Sequence, residues 1–139
     1  MKHTITGQCH CGNVSFELST SVPVSGIEAR ACDCSFCRVH GAQNWTDANG
    51  SATIRVKDSN QLQRYLFALR TAEFLICTTC GAYAGAVFSD SEGTWSTVNL
   101  RLTGLSGITE RTASFGGEQT SERIARRKRL WTPTKLVGV

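Results

Sequence analysis

No apolar run in this chain of 139 residues approaches the ~20 residues that span a bilayer as a helix. The first residues, Met1-Lys2-His3-Thr4-Ile5-Thr6, lack the apolar stretch of a secretory leader. Both absences point to a cytoplasmic protein in a reducing compartment. Only 2 prolines stand against 13 glycines, a balance that suits a turn-rich, β-rich chain. No internal repeat, low-complexity tract or linker interrupts it, and residues 1–139 read as a single domain. No alternation of strand and helix signals a parallel sheet. No platform of aromatics for stacking bases is visible either.

What is present is mostly strand. Val14, Phe16 and Leu18 alternate with Ser15 and Glu17, the pattern of a half-buried strand. Further strands are expected over residues 26–32, 52–56, 72–77, 82–88 and 95–102. In the last, Val98, Leu100 and Leu102 would share a face. Glycine-containing turns separate these segments. One helix is expected late in the chain, capped by Ser121 and favoured by Glu122 near its N-terminus. It runs through ERIARRKRLW and stops before Pro133, with Ile124 and Trp131 placed to touch the sheet. A short helical turn is also expected after Cys37. The fold class is mainly β, with antiparallel sheets and one C-terminal helix.

Cysteine is abundant: Cys9, Cys11, Cys32, Cys34, Cys37, Cys77 and Cys80. An odd number of clustered thiols in a reducing compartment reads as metal ligands or catalytic groups, not as a disulfide framework. Cys9-His10-Cys11-Gly12 and Cys77-Thr78-Thr79-Cys80-Gly81 are two half-sites, each closed by a glycine. A glycine there lets the chain turn around an ion with φ > 0. Together they make one tetrahedral Cys₄ site of the structural zinc type, tying residue 9 to residue 80. Cys32, Cys34 and Cys37 remain. The spacing C-x-C-x-x-C lets one tight turn present three sulfurs to a second ion, leaving a fourth position open, the mark of a catalytic site. Three thiolates make the metal a soft, weak Lewis acid, better suited to a thiolate substrate than to making hydroxide. The alternatives are a single zinc site with a spare or interchangeable trio, or an iron–sulfur cluster. The formal charge of +4 counts thiols as neutral. Seven thiolates around two zinc ions would bring the loaded protein close to neutrality, which weakens any inference of nucleic-acid binding.

The three motifs CHCG, CDCSFCR and CTTCG, in that order and with Gly41-Ala42 after the second, resemble the glutathione-dependent formaldehyde-activating enzyme family, which also includes centromere protein V. The likeness covers at least residues 7–102. It implies a β-rich, tent-like fold of twisted antiparallel sheets around zinc. It implies a structural zinc on Cys9, Cys11, Cys77 and Cys80, and a catalytic zinc on Cys32, Cys34 and Cys37. The activity it implies is condensation of formaldehyde with glutathione to S-hydroxymethylglutathione, a carbon–sulfur lyase reaction run in reverse.

Other residues are weighed beside these. Arg38 belongs to the second motif and is read with the catalytic group, holding a carboxylate or offsetting the negative trio. His40 is a candidate acid or base, more often a surface histidine. His10 is expected to face solvent, and Ser35 to bond backbone within its turn. Tyr83 is a candidate proton donor, more commonly a half-buried strand residue. Asn44, Trp45, Asn99 and Arg101 are candidates for a pocket wall. Arg126-Arg127-Lys128-Arg129 is expected to form a solvated helix face. The preferred reading is a zinc-dependent carbon–sulfur lyase acting on a small thiol and a small aldehyde. Its rival is a zinc-stabilised module whose basic helix binds nucleic acid or an acidic partner. A metal-storage or redox-sensing thiol cluster is a third reading.

Overall fold

The computed structural model describes residues 2–139. Along them run β1 (His3–Gln8), β2 (Val14–Thr20), β3 (Glu28–Cys32), α1 (Ser35–His40), β4 (Asn44–Trp45), β5 (Ser51–Val56), β6 (Leu62–Tyr65), β7 (Glu73–Cys77), β8 (Tyr83–Asp90), β9 (Gly93–Asn99), β10 (Thr109–Ala113), α2 (Thr120–Leu130) and β11 (Thr132–Val137). The mainly β class expected from the sequence is the one observed.

The strands join in the order β1-β2-β5-β11-β9-β4-β3-β10, with β8, β7 and β6 extending from the other edge of β9. One side of β9 is shared. Ser96 and Trp95 pair with the start of β11, whereas Val98 and Asn99 pair with β4. The rest of β11, Thr134–Val137, leaves β9 and lies beside β5. β11 thus stitches the β1-β2-β5 layer to the layer built on β9. The alternation read in β2 holds: Val14, Phe16 and Leu18 are buried. They meet Ile5, Ile54, Leu75, Val87, Val98 and Leu100 in the main core. Each such side chain contributes about 1.5–3 kcal/mol by leaving water.

Most pairings are antiparallel, but β3 with β10 and β5 with β11 are parallel. Neither pair is joined by a simple strand–helix–strand unit. The partners are far apart in sequence, so no local pattern announces them.

Three local expectations are corrected. The strand over residues 95–102 ends at Asn99, whose Oδ1 accepts from the Arg101 N–H at 3.1 Å and turns the chain into a 3₁₀ segment, Leu100–Leu102. Leu100 is therefore buried by the turn and not by strand alternation. The late helix is capped at Gln119, not Ser121: the Gln119 N–H donates to Glu122 Oε1 at 3.2 Å, and Ser121 lies exposed in the first turn. The helix ends at Leu130, and Pro133 falls within β11, where it faces Trp95. A residue preceding proline disfavours the α region, so Thr132 is already extended. Ile124 and Trp131 do pack on the sheet, against Ala86, Phe88 and Phe74.

Candidate metal centres and the adjoining cavity

The chain brings the seven cysteines into two groups. Within each group, all sulfurs lie within 4.8 Å of one another. Cys9, Cys11, Cys77 and Cys80 form the first. Its two halves are built alike. The Cys9 N–H donates to Val14 O at 2.8 Å and the Cys77 N–H to Ala82 O at 3.0 Å, closing two short loops. Gly12 and Gly81 end them with φ of +85° and +81°, the left-handed turn that the glycines were expected to supply. The Val14 N–H donates to Cys9 Sγ at 3.3 Å. Cys9 and Cys11 sulfurs are 3.7 Å apart, and those of Cys11 and Cys77 are 3.4 Å apart. Four sulfurs at ~2.3 Å from one tetrahedral ion would lie about 3.8 Å apart, so the group fits a tetrahedral thiophilic metal such as zinc. Burial works against ionisation of Cys80, yet the N–H groups of Cys11 and Ala82 and the Cys77 thiol outweigh it and hold its pKa down to about 6.

Cys32, Cys34 and Cys37 form the second group. Cys32 ends β3, Cys34 caps α1, and Cys37 lies in its first turn. Cys34 Sγ accepts from the Cys37 N–H at 3.4 Å, and Cys37 Sγ accepts from Asn44 Nδ2 at 3.4 Å. Each such bond favours thiolate, but burial outweighs it at Cys34, and the Cys32 side chain and then burial outweigh it at Cys37, so both thiols are pushed up. The Cys37 side chain, with help from the Cys34 N–H and against desolvation, lowers the Cys32 thiol to about 6. The Ser35 hydroxyl, expected to bond the turn, makes no hydrogen bond among the described residues; Cys34 takes that place as cap.

The trio opens on a cavity of about 280 Å³. Phe67, Phe74, Phe115 and Trp131 supply apolar wall, and Asn44, Tyr83 and Thr97 supply polar atoms. Five arginines line it as well: Arg30, Arg70, Arg123, Arg126 and Arg127. None of Cys9, Cys11, Cys77 or Cys80 reaches it. The two thiol groups therefore differ in setting: the quartet sits at the surface with Cys11 exposed, and the trio faces a chamber.

Tyr83 is fully buried rather than half-buried. Its hydroxyl donates to Asn44 Oδ1 at 2.9 Å, and its carbonyl accepts from Asn99 Nδ2 at 2.9 Å. Burial, then the Cys37 and Cys34 thiolates, push the phenol well above its usual pKa, so it stays protonated. Trp45 is buried in the main core and does not reach the cavity. Arg38 and Arg101 lie elsewhere, in a shallower pocket on another side of Cys32 and Cys37. Arg101 Nε donates to Gly41 O at 3.0 Å. His40 is exposed, stacks on Phe36 at 4.2 Å and bonds Phe36 O through Nδ1, outside the cavity wall. His10 is exposed, as expected.

The basic helix departs most from expectation. Arg127 is only 6% exposed. Arg123 and Arg126 turn inward to Glu118, with Arg126 Nε at 2.9 Å from Oε2 and Arg123 Nε at 3.1 Å from Oε1. The Arg126 guanidinium lies 3.9 Å from the centre of the Phe115 ring. Lys128 pairs with Asp90 at 2.5 Å and with Glu92. A signal was available: Ile124, Arg127 and Trp131 at i, i+3 and i+7 share one helix face. Arg30 was legible in the same way, since it precedes Cys32 by two on one strand and so shares its face.

Residues 4–113 match the family model for the glutathione-dependent formaldehyde-activating enzyme. A solved crystal structure of a Rhodobacter sphaeroides protein is 32% identical, over 76% of this chain and 91% of that one, with a TM-score of 0.49. A comparison with curated proteins finds no significant match. With most of its length matched, and with the cysteine motifs gathered into two metal-competent groups, the chain belongs to the glutathione-dependent formaldehyde-activating enzyme family.

Proposed function

We propose that this protein joins a small thiol to a small aldehyde, or cleaves the resulting C–S adduct, at a zinc ion held by Cys32, Cys34 and Cys37. A second zinc, held by Cys9, Cys11, Cys77 and Cys80, is structural. Glutathione and formaldehyde are the pair suggested by the family's name. The single observation that carries the reading is the contrast between the two thiol groups: the trio lines the cavity and the quartet does not. Held by Cys32, Cys34 and Cys37, zinc would supply the Lewis acidity that lowers the pKa of a substrate thiol.

The chain's own groups then have separable tasks. Asn44 Nδ2 fixes the Cys37 sulfur, and the Cys34 cap fixes the turn. Phe67, Phe74 and Phe115 exclude water from the reacting centre. The sulfur attacks the carbonyl carbon, the C–S bond forms, and the carbonyl π pair moves to oxygen. The Tyr83 hydroxyl, a neutral donor on the cavity wall, breaks its bond to Asn44 Oδ1, turns to that oxygen and gives it its proton. Tyr83 is reprotonated from solvent, which also receives the thiol's proton. The reverse sequence breaks the C–S bond. Arg38, outside this cavity, acts by offsetting the negative charge of the trio. The inward turn of Arg123, Arg126 and Arg127 favours this reading over a nucleic-acid module, which needs its basic helix face free.

The test combines metal counting with turnover. Zinc and iron per chain are measured on protein purified without chelator, and adduct formation from glutathione and formaldehyde is followed by NMR. Two zinc ions and a catalysed adduct are expected. One zinc per chain, or adduct formation no faster than without protein, would sink the reading.

A further inference from the structure

The cavity carries far more positive charge than its chemistry at the trio requires. Five guanidinium groups line it against one carboxylate, Asp33. Glu118 holds Arg123 and Arg126 from behind. Among the described residues, Arg30, Arg70 and Arg127 pair with no carboxylate, although Arg30 and Arg127 are largely buried. Arg127 is anchored by its Nη1 donating to Thr71 Oγ1, and Arg30 by Nη2 donating to Thr97 Oγ1 at 3.1 Å. Two buried donors remain without any acceptor: Nε of Arg127 and Nε1 of Trp131. Both side chains are more than nine-tenths buried, both line the cavity, and the guanidinium lies 4.9 Å from the indole ring centre. A buried cation without a counter-ion and a buried N–H without an acceptor are each costly to keep.

The trio's thiolates do not fill this need. Arg30 precedes Cys32 by two residues on β3, whereas Arg127 and Trp131 lie at the end of α2, where Arg127 bonds Thr71 and no cysteine. The cavity therefore has a sulfur end near Arg30 and a cationic end at Arg127 and Trp131. Burial lowers the Arg127 pKa to about 10, which leaves it charged at neutral pH. Much of the cationic end comes from residues after 113, beyond the stretch matched by the family model.

We propose that the substrate of this cavity carries a carboxylate, held at the Arg127–Trp131 end by the guanidinium and the indole N–H, while its reacting group faces the cysteine trio. This rests on the reading of the trio as the reacting centre and adds what the molecule entering it must bear. A flat carboxylate matches the guanidinium fork. The carboxylate can belong to the thiol partner or to the aldehyde partner, and two probes separate them. S-methylglutathione has glutathione's carboxylates and no free thiol. Glyoxylate is an aldehyde bearing one carboxylate.

The experiment is calorimetric titration of each probe into the zinc-loaded protein, its Arg127→Gln variant and its Trp131→Phe variant. Trp131→Phe removes the N–H but keeps a ring in the packing, so it reads binding even if Arg127→Gln folds poorly. At least one probe is expected to bind, about tenfold more weakly in Arg127→Gln and several-fold more weakly in Trp131→Phe. The dimethyl ester of S-methylglutathione, or formaldehyde in place of glyoxylate, is expected to lose that dependence. Equal affinities in all three proteins, an ester that binds as well as the acid, or no binding of either probe overturns the proposal. Because neither probe alone can form an adduct, arginine-dependent binding without turnover would sink the reaction and keep the anion site. Turnover indifferent to substrate charge would do the reverse.

Discussion

The hydroxyl of Tyr83 on β8 donates to Oδ1 of Asn44 on β4 across 2.9 Å, deep inside the protein. The same Asn44 uses its amide nitrogen to reach Cys37 Sγ at 3.4 Å. One short chain of hydrogen bonds thus runs from a cavity-lining phenol to a thiol of the trio. β9 holds the two ends together, pairing with β8 on one side and with β4 on the other.

If Tyr83 is the proton donor, removing its hydroxyl should slow turnover without dismantling the centre. Tyr83→Phe is expected to lower kcat about 10²–10⁴-fold, the range for one positioned acid. Asn44 loses one partner, so stability should fall by about 1 kcal/mol. Zinc content should not change. Steady-state kinetics with metal analysis of the same preparation checks this; unchanged kcat would remove Tyr83 from the reaction.

The two thiol groups should fail differently. Cys34→Ala opens a group that lies at a cavity wall, and it should abolish turnover while leaving the fold in place. Cys9→Ser breaks a closed link between the β1–β2 turn and the end of β7, and the metal's binding energy is folding energy there. It should therefore yield little folded protein, and a strong chelator should unfold the native chain. Thermal melts and near-ultraviolet circular dichroism on both variants distinguish the two. Equal stability of Cys9→Ser and Cys34→Ala would contradict the division into structural and catalytic sites.

The cysteine grammar was legible because it is local. Two half-sites ending in glycine already specify positive φ at residues 12 and 81, and the structure has it at both. The three-thiol turn is likewise contained in six residues. The pairing of β10 with β3 and of β11 with β5 was not legible, because each joins segments about 80 residues apart. The basic run on α2 misled for a different reason. Charge on a helix usually means solvent, and only the third dimension reveals that Glu118, Phe115 and Thr71 meet those guanidiniums. Asn99 ended β9 early through a side-chain-to-backbone bond that hydrophobic spacing does not encode.

Glu118 links that helix to the cavity and gives a pH signature. Its carboxyl is held below the usual carboxylate value by hydrogen bonding to Arg126 and then by that cation's charge, with Arg123 adding to both. A depressed folded-state pKa stabilises the protein above the unfolded value of about 4.5, and this contribution fades as pH falls through the lower folded value. Glu118→Gln should thus cost about 1–2 kcal/mol at pH 7, since the pair is mostly shielded from water, and little near pH 3. Acid also strips metal from thiolates, but it does so in both proteins. The difference in Tm between wild type and variant, followed from pH 7 to pH 3, isolates the carboxylate. A gap that does not narrow with acid would mean that Glu118 acts by packing alone.

Gly81 tests the geometry of the closed site on its own. Its φ is +81°, and a Cβ built there would meet nothing within 4 Å. Any cost of Gly81→Ala must therefore come from the backbone, about 1–2 kcal/mol for an L-residue forced into the left-handed region. The Gly81 N–H also donates to Cys77 O at 2.7 Å and closes the knuckle, so a backbone that relaxes would move Cys80 relative to Cys77. The variant should melt several degrees lower and give up its structural metal to a chelator faster than wild type. Its turnover at low temperature should be unchanged, because the trio is built from β3 and α1. A variant with normal melting and slow metal release would show that the turn tolerates another backbone conformation. One with lost turnover would show that the two metal groups are coupled through β7 and β8.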